Sequence, residues 1–294
     1  EGCVEKNYPH YGVNFMRNGD MYRRHGREHN IPYMLDVVSE IMASRWFHMA
    51  KGARLLVFQC DQTKRLTLLR RSSSNDKETR RRMSILPLSG QTAMAQGQDV
   101  GLLPPAIQRY TLTPEDEEQI ALCNESNRPL TFFFRGNYRT DLQRAKIAAL
   151  HNGKDVLVED VKGTQFLEWM EDNTTTSQEA FIKLGTLSKF GGAPRGDRRF
   201  SYRFSELLSM ATIPVVYVDD WIWPFGPELF SWKNISVHVP MNQIEGTLEF
   251  LNNITDERRC EMRQELLRLF HKYMANDTMV IRGIIETLER RFPH

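Results

Sequence analysis

Arg195, Arg198, Arg199, Arg203 and Glu206 crowd into one short stretch around Pro194-Arg195-Gly196. The surrounding run, Phe190 to Glu206, reads as a strand feeding a Pro-Arg-Gly loop, which feeds a helix. Ser201 has the residue type and position of an N-cap. Phe204, Leu207, Leu208 and Ala211 recur at helical spacing and form a core-facing stripe. Arg203 and Glu206 are three apart on another face, near the helix start. This chemistry suits a diphosphate. A helix N-terminus offers unpaired N–H groups and positive partial charge. Gly196 admits close backbone approach, and arginines supply fork-shaped, charge-assisted hydrogen bonds. Glu206 would accept hydroxyls of a ribose or a sugar. A plain basic loop with a local Arg203–Glu206 ion pair explains the composition equally well. The tripeptide Arg195-Gly196-Asp197 is short enough to recur by chance.

The elements that must position these residues form a regular series from Leu130 onward. Strands are expected at 130–134, 155–158, 190–193, 213–218 and 235–239. Helices are expected at 141–150, 177–187, 202–211, 244–251 and 257–273. This alternation predicts an α/β fold with a doubly wound parallel sheet. Ligands of such sheets bind beyond the carboxyl ends of the strands, here the loops at 135–139, 194–201 and 219–227. In the last of these, Asp219-Asp220 has the form of a metal-binding pair, but its place after a strand favours a contact to sugar or acceptor. Trp221 and Trp223 are open to two readings, a stacking platform for a sugar or core at a junction. Phe225 is expected to be core. Upstream the pattern is less regular, with a helix over 31–49 and a short buried strand over 54–59. Eight basic residues lie in 64–82 without interleaved aromatics, so that segment is read as a mobile, solvated loop rather than a nucleic-acid patch.

The formal net charge of +2 gives no general affinity for nucleic acid. No run approaches the roughly 20 apolar residues of a membrane-spanning helix. The chain begins at Glu1 rather than Met, so an N-terminal anchor or signal is expected to precede it. None of Cys3, Cys60, Cys123 and Cys260 forms a CxxC pair, which argues against zinc or redox chemistry. Spacing leaves their disulfide pairing open. Five Asn-x-Ser/Thr triplets begin at Asn124, Asn173, Asn234, Asn253 and Asn276, and lean towards a glycosylated, secretory protein.

The stretch from Phe190 to Trp232 resembles the core signature of the exostosin family. Its carriers are Pro194-Arg195-Gly196, Arg203-Phe204-Ser205-Glu206, Ile213-Pro214-Val215-Val216 and Trp221-Ile222-Trp223-Pro224-Phe225. Phe133-Phe134-Arg135-Gly136 and Leu150-His151-Asn152 are similar to the opening of that family's nucleotide-binding domain. Asp99-Val100 with Pro104-Pro105 resembles the end of its acceptor-side domain. The resemblance is strong over 130–255 and thin before 95. Gly191 and Gly192 depart from the family's Cys and Leu, which removes a packing residue or a disulfide partner. Gly52-Ala53-Arg54-Leu55 stands where Gly-x-Asp-His is usual.

The resemblance implies a GT-B glycosyltransferase, with two Rossmann-like domains and a cleft between them. The acceptor-side domain would be 1–128 and the nucleotide-sugar domain 129–294, closed by C-terminal helices over 256–294 that cross back to the first domain. It implies a UDP-sugar donor, a glycan acceptor, inversion at the anomeric carbon and no metal or other cofactor. Arg135, Gly136, Arg139, Arg195, Gly196, Arg203 and Glu206 would hold the donor, although Arg135 is also placed to cap a strand end. Asp219, Asp220 and Trp221 would touch sugar or acceptor, and Asp99 and Asp61 are candidates for the base. The resemblance further implies a type II membrane protein of the Golgi lumen, anchored by a segment outside this chain, alone or in a homo- or hetero-oligomer. The alternative is a non-catalytic glycan-binding or scaffolding protein on a degenerate glycosyltransferase fold.

Overall fold

The computed structural model describes the backbone of 55–59 and 83–87, residues 101, 103, 104 and 106, and residues 110–161, 177–196, 201–219, 221 and 223–291. Two compact units divide the chain, Glu1–Leu102 and Leu103–His294. In the first, strands β1 (Leu55–Gln59) and β2 (Met83–Pro87) pair in parallel. The helix expected over 31–49 and the basic segment 64–82 lie outside the described residues.

The second unit runs α1 (Pro114–Ala121), β3 (Leu130–Arg135), α2 (Leu142–Ala148), β4 (Val156–Glu159), α3 (Ser177–Thr186), β5 (Ser188–Pro194), α4 (Tyr202–Ser209), β6 (Ile213–Tyr217), β7 (Val237–His238), α5 (Thr247–Asn252), α6 (Asp256–Tyr273) and α7 (Asp277–Arg291). The five strands form one parallel sheet in the order β4-β3-β5-β6-β7. The chain therefore leaves β3 to one side to make β4 and crosses to the other side for β5. That reversal makes the gap between β3 and β5 a topological switch point, where doubly wound folds open a crevice at the carboxyl ends.

Alternation along β3 shows why both faces are covered. Phe132 and Phe134 join Val156, Val158, Ile213 and Val215 in a core with Ile147 of α2 and Leu251 of α5. Phe133 points the opposite way, with its ring centroid 5.5 Å from that of Phe181 on α3. β5 remains a seven-residue strand despite Gly191 and Gly192. A Cβ on Gly191 would stand 2.2 Å from Leu207 Cδ2, and one on Gly192 would stand 3.0 Å from Phe134 Cβ. The volume a larger residue would take there is filled by Leu207 and the β3 phenylalanines.

The second unit begins at Leu103, ahead of the expected boundary at 128/129. Residues after Leu103 are tied to it. Ser205 Oγ donates to the Pro104 carbonyl, and the Tyr110 N–H donates to Ser209 Oγ at 3.1 Å. Thr113 and Asp116 cap α1 reciprocally, with Pro114 in the first turn. That signature is visible in Thr-Pro-Glu-Asp, ahead of the regular series of elements expected from Leu130. A disulfide joins Cys123 to Cys260 on α6. The expected strand 235–239 shrinks to two residues, and the helix expected from 244 starts as a 3-10 turn over Met241–Gly246. α6 packs on α1, α4 and β6, and α7 packs on α6.

Candidate active site

β3 and β5 deliver their last residues to the switch point. Arg135 ends β3 opposite Glu159, the last residue of β4, and the two buried side chains pair with Nε 3.2 Å from Oε2. Burial lowers the pKa of the Arg135 guanidinium; Glu159 supports its charge and nearby Arg203 opposes it. Sequence reading missed Glu159, whose signal was a carboxylate closing the apolar run 156–158. Gly136 is glycine for a steric reason, since a Cβ there would lie 2.5 Å from the Phe134 ring and 3.3 Å from Arg144 Nη1. Beyond it, the Tyr138 N–H donates to Asp160 Oδ2 at 3.1 Å. Burial, with Asp160 and Glu159 close by, pushes the Tyr138 phenol up to about 12. Arg139 is exposed on this loop, and its N–H donates to Asn137 Oδ1 at 2.9 Å.

Two residues of α2 link this loop to the one after β5. Arg144, buried against the Phe134 ring, donates from Nε to the Arg195 carbonyl at 3.0 Å and from Nη1 to the Asn137 carbonyl at 3.1 Å. One guanidinium thereby fixes the separation of the two switch-point loops, a use of its fork that lysine could not copy. Asp141 caps α2 by accepting from the Gln143 N–H, and its other oxygen lies 3.1 Å from Arg195 Nε. Neither residue carries a local sign of this role, because the shared partner, Arg195, is about fifty residues away.

Ser201 caps α4, accepting from the Arg203 N–H at 3.3 Å. Arg203 Nη1 donates to Glu206 Oε2 at 2.6 Å, and its guanidinium lies 4.0 Å from the centroid of the Phe181 ring. The local ion pair is therefore present. Glu206 is buried beneath it, whereas the arginine head remains part-exposed. The structure thus brings Arg135, Gly136, Arg195, Arg203 and Glu206 to one edge of the sheet. Gly196 ends the described part of the β5 loop, and Asp197, Arg198 and Arg199 lie outside it, as do Asp61, Asp99, Asp220 and Asn173.

At the neighbouring strand ends, Asp219 accepts from the Met241 N–H at 3.1 Å and lies 3.4 Å from Nε2 of His238, which the sequence reading had not considered. Trp221 packs inward. It is buried, edge-on to Phe204 at 4.8 Å and 4.9 Å from Trp223, in a cluster that continues through Trp232 and Phe230 to Tyr273. Its ring is engaged by protein, the packing of a core residue. Phe225 is fully buried, as expected, and Gly283 of α7 lets its ring pack close. Asn124, Asn234, Asn253 and Asn276 are exposed. Among the described residues no three His, Cys, Asp or Glu side chains cluster as metal ligands, and no helix is long and apolar enough to cross a membrane.

The exostosin GT47 domain model matches residues 13–254. The chain belongs to the exostosin glycosyltransferase family. The family match reaches much further upstream than the motifs legible in the sequence. Exostosin-1 of Drosophila melanogaster is 28% identical over 157 residues, which cover 51% of this chain and 20% of the fly protein. The Exostosin-1 homolog of Caenorhabditis elegans is 26% identical over 149 residues, covering 48% of this chain and 39% of the worm protein. The match thus spans well under half of either curated relative. Similar solved structures include a glycosyltransferase from Rickettsia africae (TM-score 0.40, 9% identity, covering 90% of this chain and 83% of that one). Another is WaaG, a glycosyltransferase involved in lipopolysaccharide biosynthesis (TM-score 0.41, 11% identity, covering 90% and 84%).

Proposed function

We propose that this exostosin-family chain transfers a sugar from a UDP-sugar to a glycan acceptor, with inversion and without a metal, in a GT-B arrangement whose donor side is the second unit. The observation that carries the reading is the convergence of Arg195, Arg203 and the N-terminus of α4 at the β3/β5 switch point. An acceptor hydroxyl attacks the anomeric carbon from the face opposite the diphosphate. The new C–O bond forms as the bond to the diphosphate breaks, and the hydroxyl proton passes to a carboxylate, with Asp99 and Asp61 as candidates. Charge building on the departing diphosphate is met by the two arginine heads and the helix N-terminus, which stabilise it without a divalent ion. Arg135 and Arg144 act behind them, one under the loop and one across it. The first unit is assigned the acceptor.

Exposed sequons and the Cys123–Cys260 disulfide support passage through an oxidising, glycosylating compartment, in keeping with a Golgi-lumen assignment. Homo- or hetero-oligomerisation belongs to the same proposal.

The test is a calorimetric titration of the chain with UDP, with and without EDTA, beside an Arg195→Ala variant. Binding indifferent to EDTA and weakened about ten- to a hundredfold by the substitution is expected, from the loss of a charge-assisted contact. A folded wild-type chain that does not bind UDP would leave the non-catalytic scaffold as the better reading.

A further inference from the structure

We infer that Asp141 is an internal counter-ion that competes with the donor diphosphate for Arg195, and so sets how tightly the nucleotide is held and how readily the spent diphosphate leaves. The inference rests on the nucleotide-binding reading of the switch point. Arg195 is held twice by the first turn of α2. Arg144 takes its carbonyl at 3.0 Å, and Asp141 takes its side chain at 3.1 Å. The two restraints are separable. With the carbonyl fixed by Arg144, the Arg195 backbone keeps its place when the side-chain pair opens, so the guanidinium can turn to a ligand without the backbone being released.

The pair also has the strength a reversible restraint requires. The Arg195 side chain is 35% exposed and that of Asp141 is 18% exposed, so water screens both and the pair stabilises by about 1 kcal/mol or less. A diphosphate brings more charge and more acceptor oxygens than one carboxylate and outcompetes it. Once the diphosphate begins to leave, Asp141 recaptures the arginine, which speeds release. The carboxylate keeps its geometry through this exchange because its other oxygen accepts from the Gln143 N–H at 2.9 Å, the N-cap bond of α2. By contrast, Arg203 is paired with a carboxylate that is almost wholly buried, Glu206 at 2.6 Å, and is therefore much less free to exchange.

The test is Asp141→Asn, which keeps the shape and the cap, since Asn and Asp cap helices about equally well, and removes only the charge. Isothermal titration with UDP, and separately with inorganic pyrophosphate, is compared between the wild-type chain and the variant at several salt concentrations. Denaturant unfolding confirms that both are folded. Both ligands are expected to bind the variant about three- to tenfold more tightly, with the gain shrinking as salt rises. A second variant, Asp141→Ser, also retains a cap and should show the same gain. Unchanged or weaker binding by folded variants of a wild-type chain that binds UDP overturns the counter-ion role and leaves the nucleotide reading standing. Tighter pyrophosphate binding with no UDP binding in either chain supports the counter-ion and sinks the uridine donor. No binding of either ligand by the wild-type chain overturns both.

Discussion

At the N-terminal edge of the sheet Arg128, Arg259 and Arg263 are buried, whereas at the C-terminal edge Arg195 and Arg203 keep part-exposed heads. Arg128 donates to the carbonyls of Gly185, Ser188 and Met210 and to Thr212 Oγ1. Burial, with Arg263 nearby, pulls its pKa down to about 9. Arg263 donates to the Ala211 carbonyl at 3.1 Å, and Glu125 binds both Arg259 and Arg263, close to the Cys123–Cys260 disulfide. Most donors in that cluster face backbone acceptors. At the other edge the partners are carboxylates, of which part-exposed Asp141 beside Arg195 is the one an anionic ligand can most readily replace. One residue type therefore does two jobs, closing the base of the fold at one end and offering charge to a substrate at the other. The exposure of its head decides which.

The sharpest way to break this contrast is Arg128→Met. It should destabilise the chain by about 3 kcal/mol or more, because each buried acceptor left without a donor costs about 1–3 kcal/mol. Denaturant unfolding measures this. A small effect would mean the base cluster does not close the fold. Replacing both cysteines, Cys123→Ser with Cys260→Ser, is expected to lower stability by about 2–4 kcal/mol, as for a long closed loop. UDP titration of the folded double variant should match the wild type, since the bond lies at the opposite edge; altered affinity would show that the edges are coupled. Arg144→Lys should weaken UDP binding about tenfold, because one ammonium cannot span the carbonyls of Asn137 and Arg195. Its stability loss should be smaller than that of Arg128→Met, and equal losses would make Arg144 another structural arginine.

The smallest effect expected is a pH dependence at the base. Hydrogen bonds from Thr131 and Asn152 hold the Asp155 carboxyl below its ordinary value. Its stabilisation is therefore fully present above the unfolded value of about 3.9 and lost as pH falls through the lower folded value. The stability gap between the wild-type chain and Asp155→Asn should close over that acidic window. A gap that persists below it would show that the carboxylate charge is not what Asp155 contributes.

Much of the second unit was legible because its signals are local. β-branched and aromatic runs gave the strands, Ser201 gave a cap, and the spacing of Phe204, Leu207 and Leu208 gave the buried face of α4. Local signals also placed the switch-point loops, since a strand–helix alternation implies a parallel sheet and the sheet implies which ends carry the site. They failed where two readings share one local pattern. Trp221 and Trp223 fit a platform or a core equally well by pattern, and only the packing against Phe204, Trp232 and Phe230 shows how far each is buried.

The sequence by itself determined the strand–helix alternation from β3 onward, the α/β class and the concentration of arginine in the loop after β5. Tertiary structure alone decided that Cys123 meets Cys260, that Glu159 underlies Arg135, and that Asp141 and Arg144 grip Arg195 from another helix. The physical reason is range. Periodicity and capping act within a few residues, whereas these pairings need distant segments side by side: β4 beside β3 for Glu159, α6 beside α1 for the disulfide, and β5 beside β3 for Arg195.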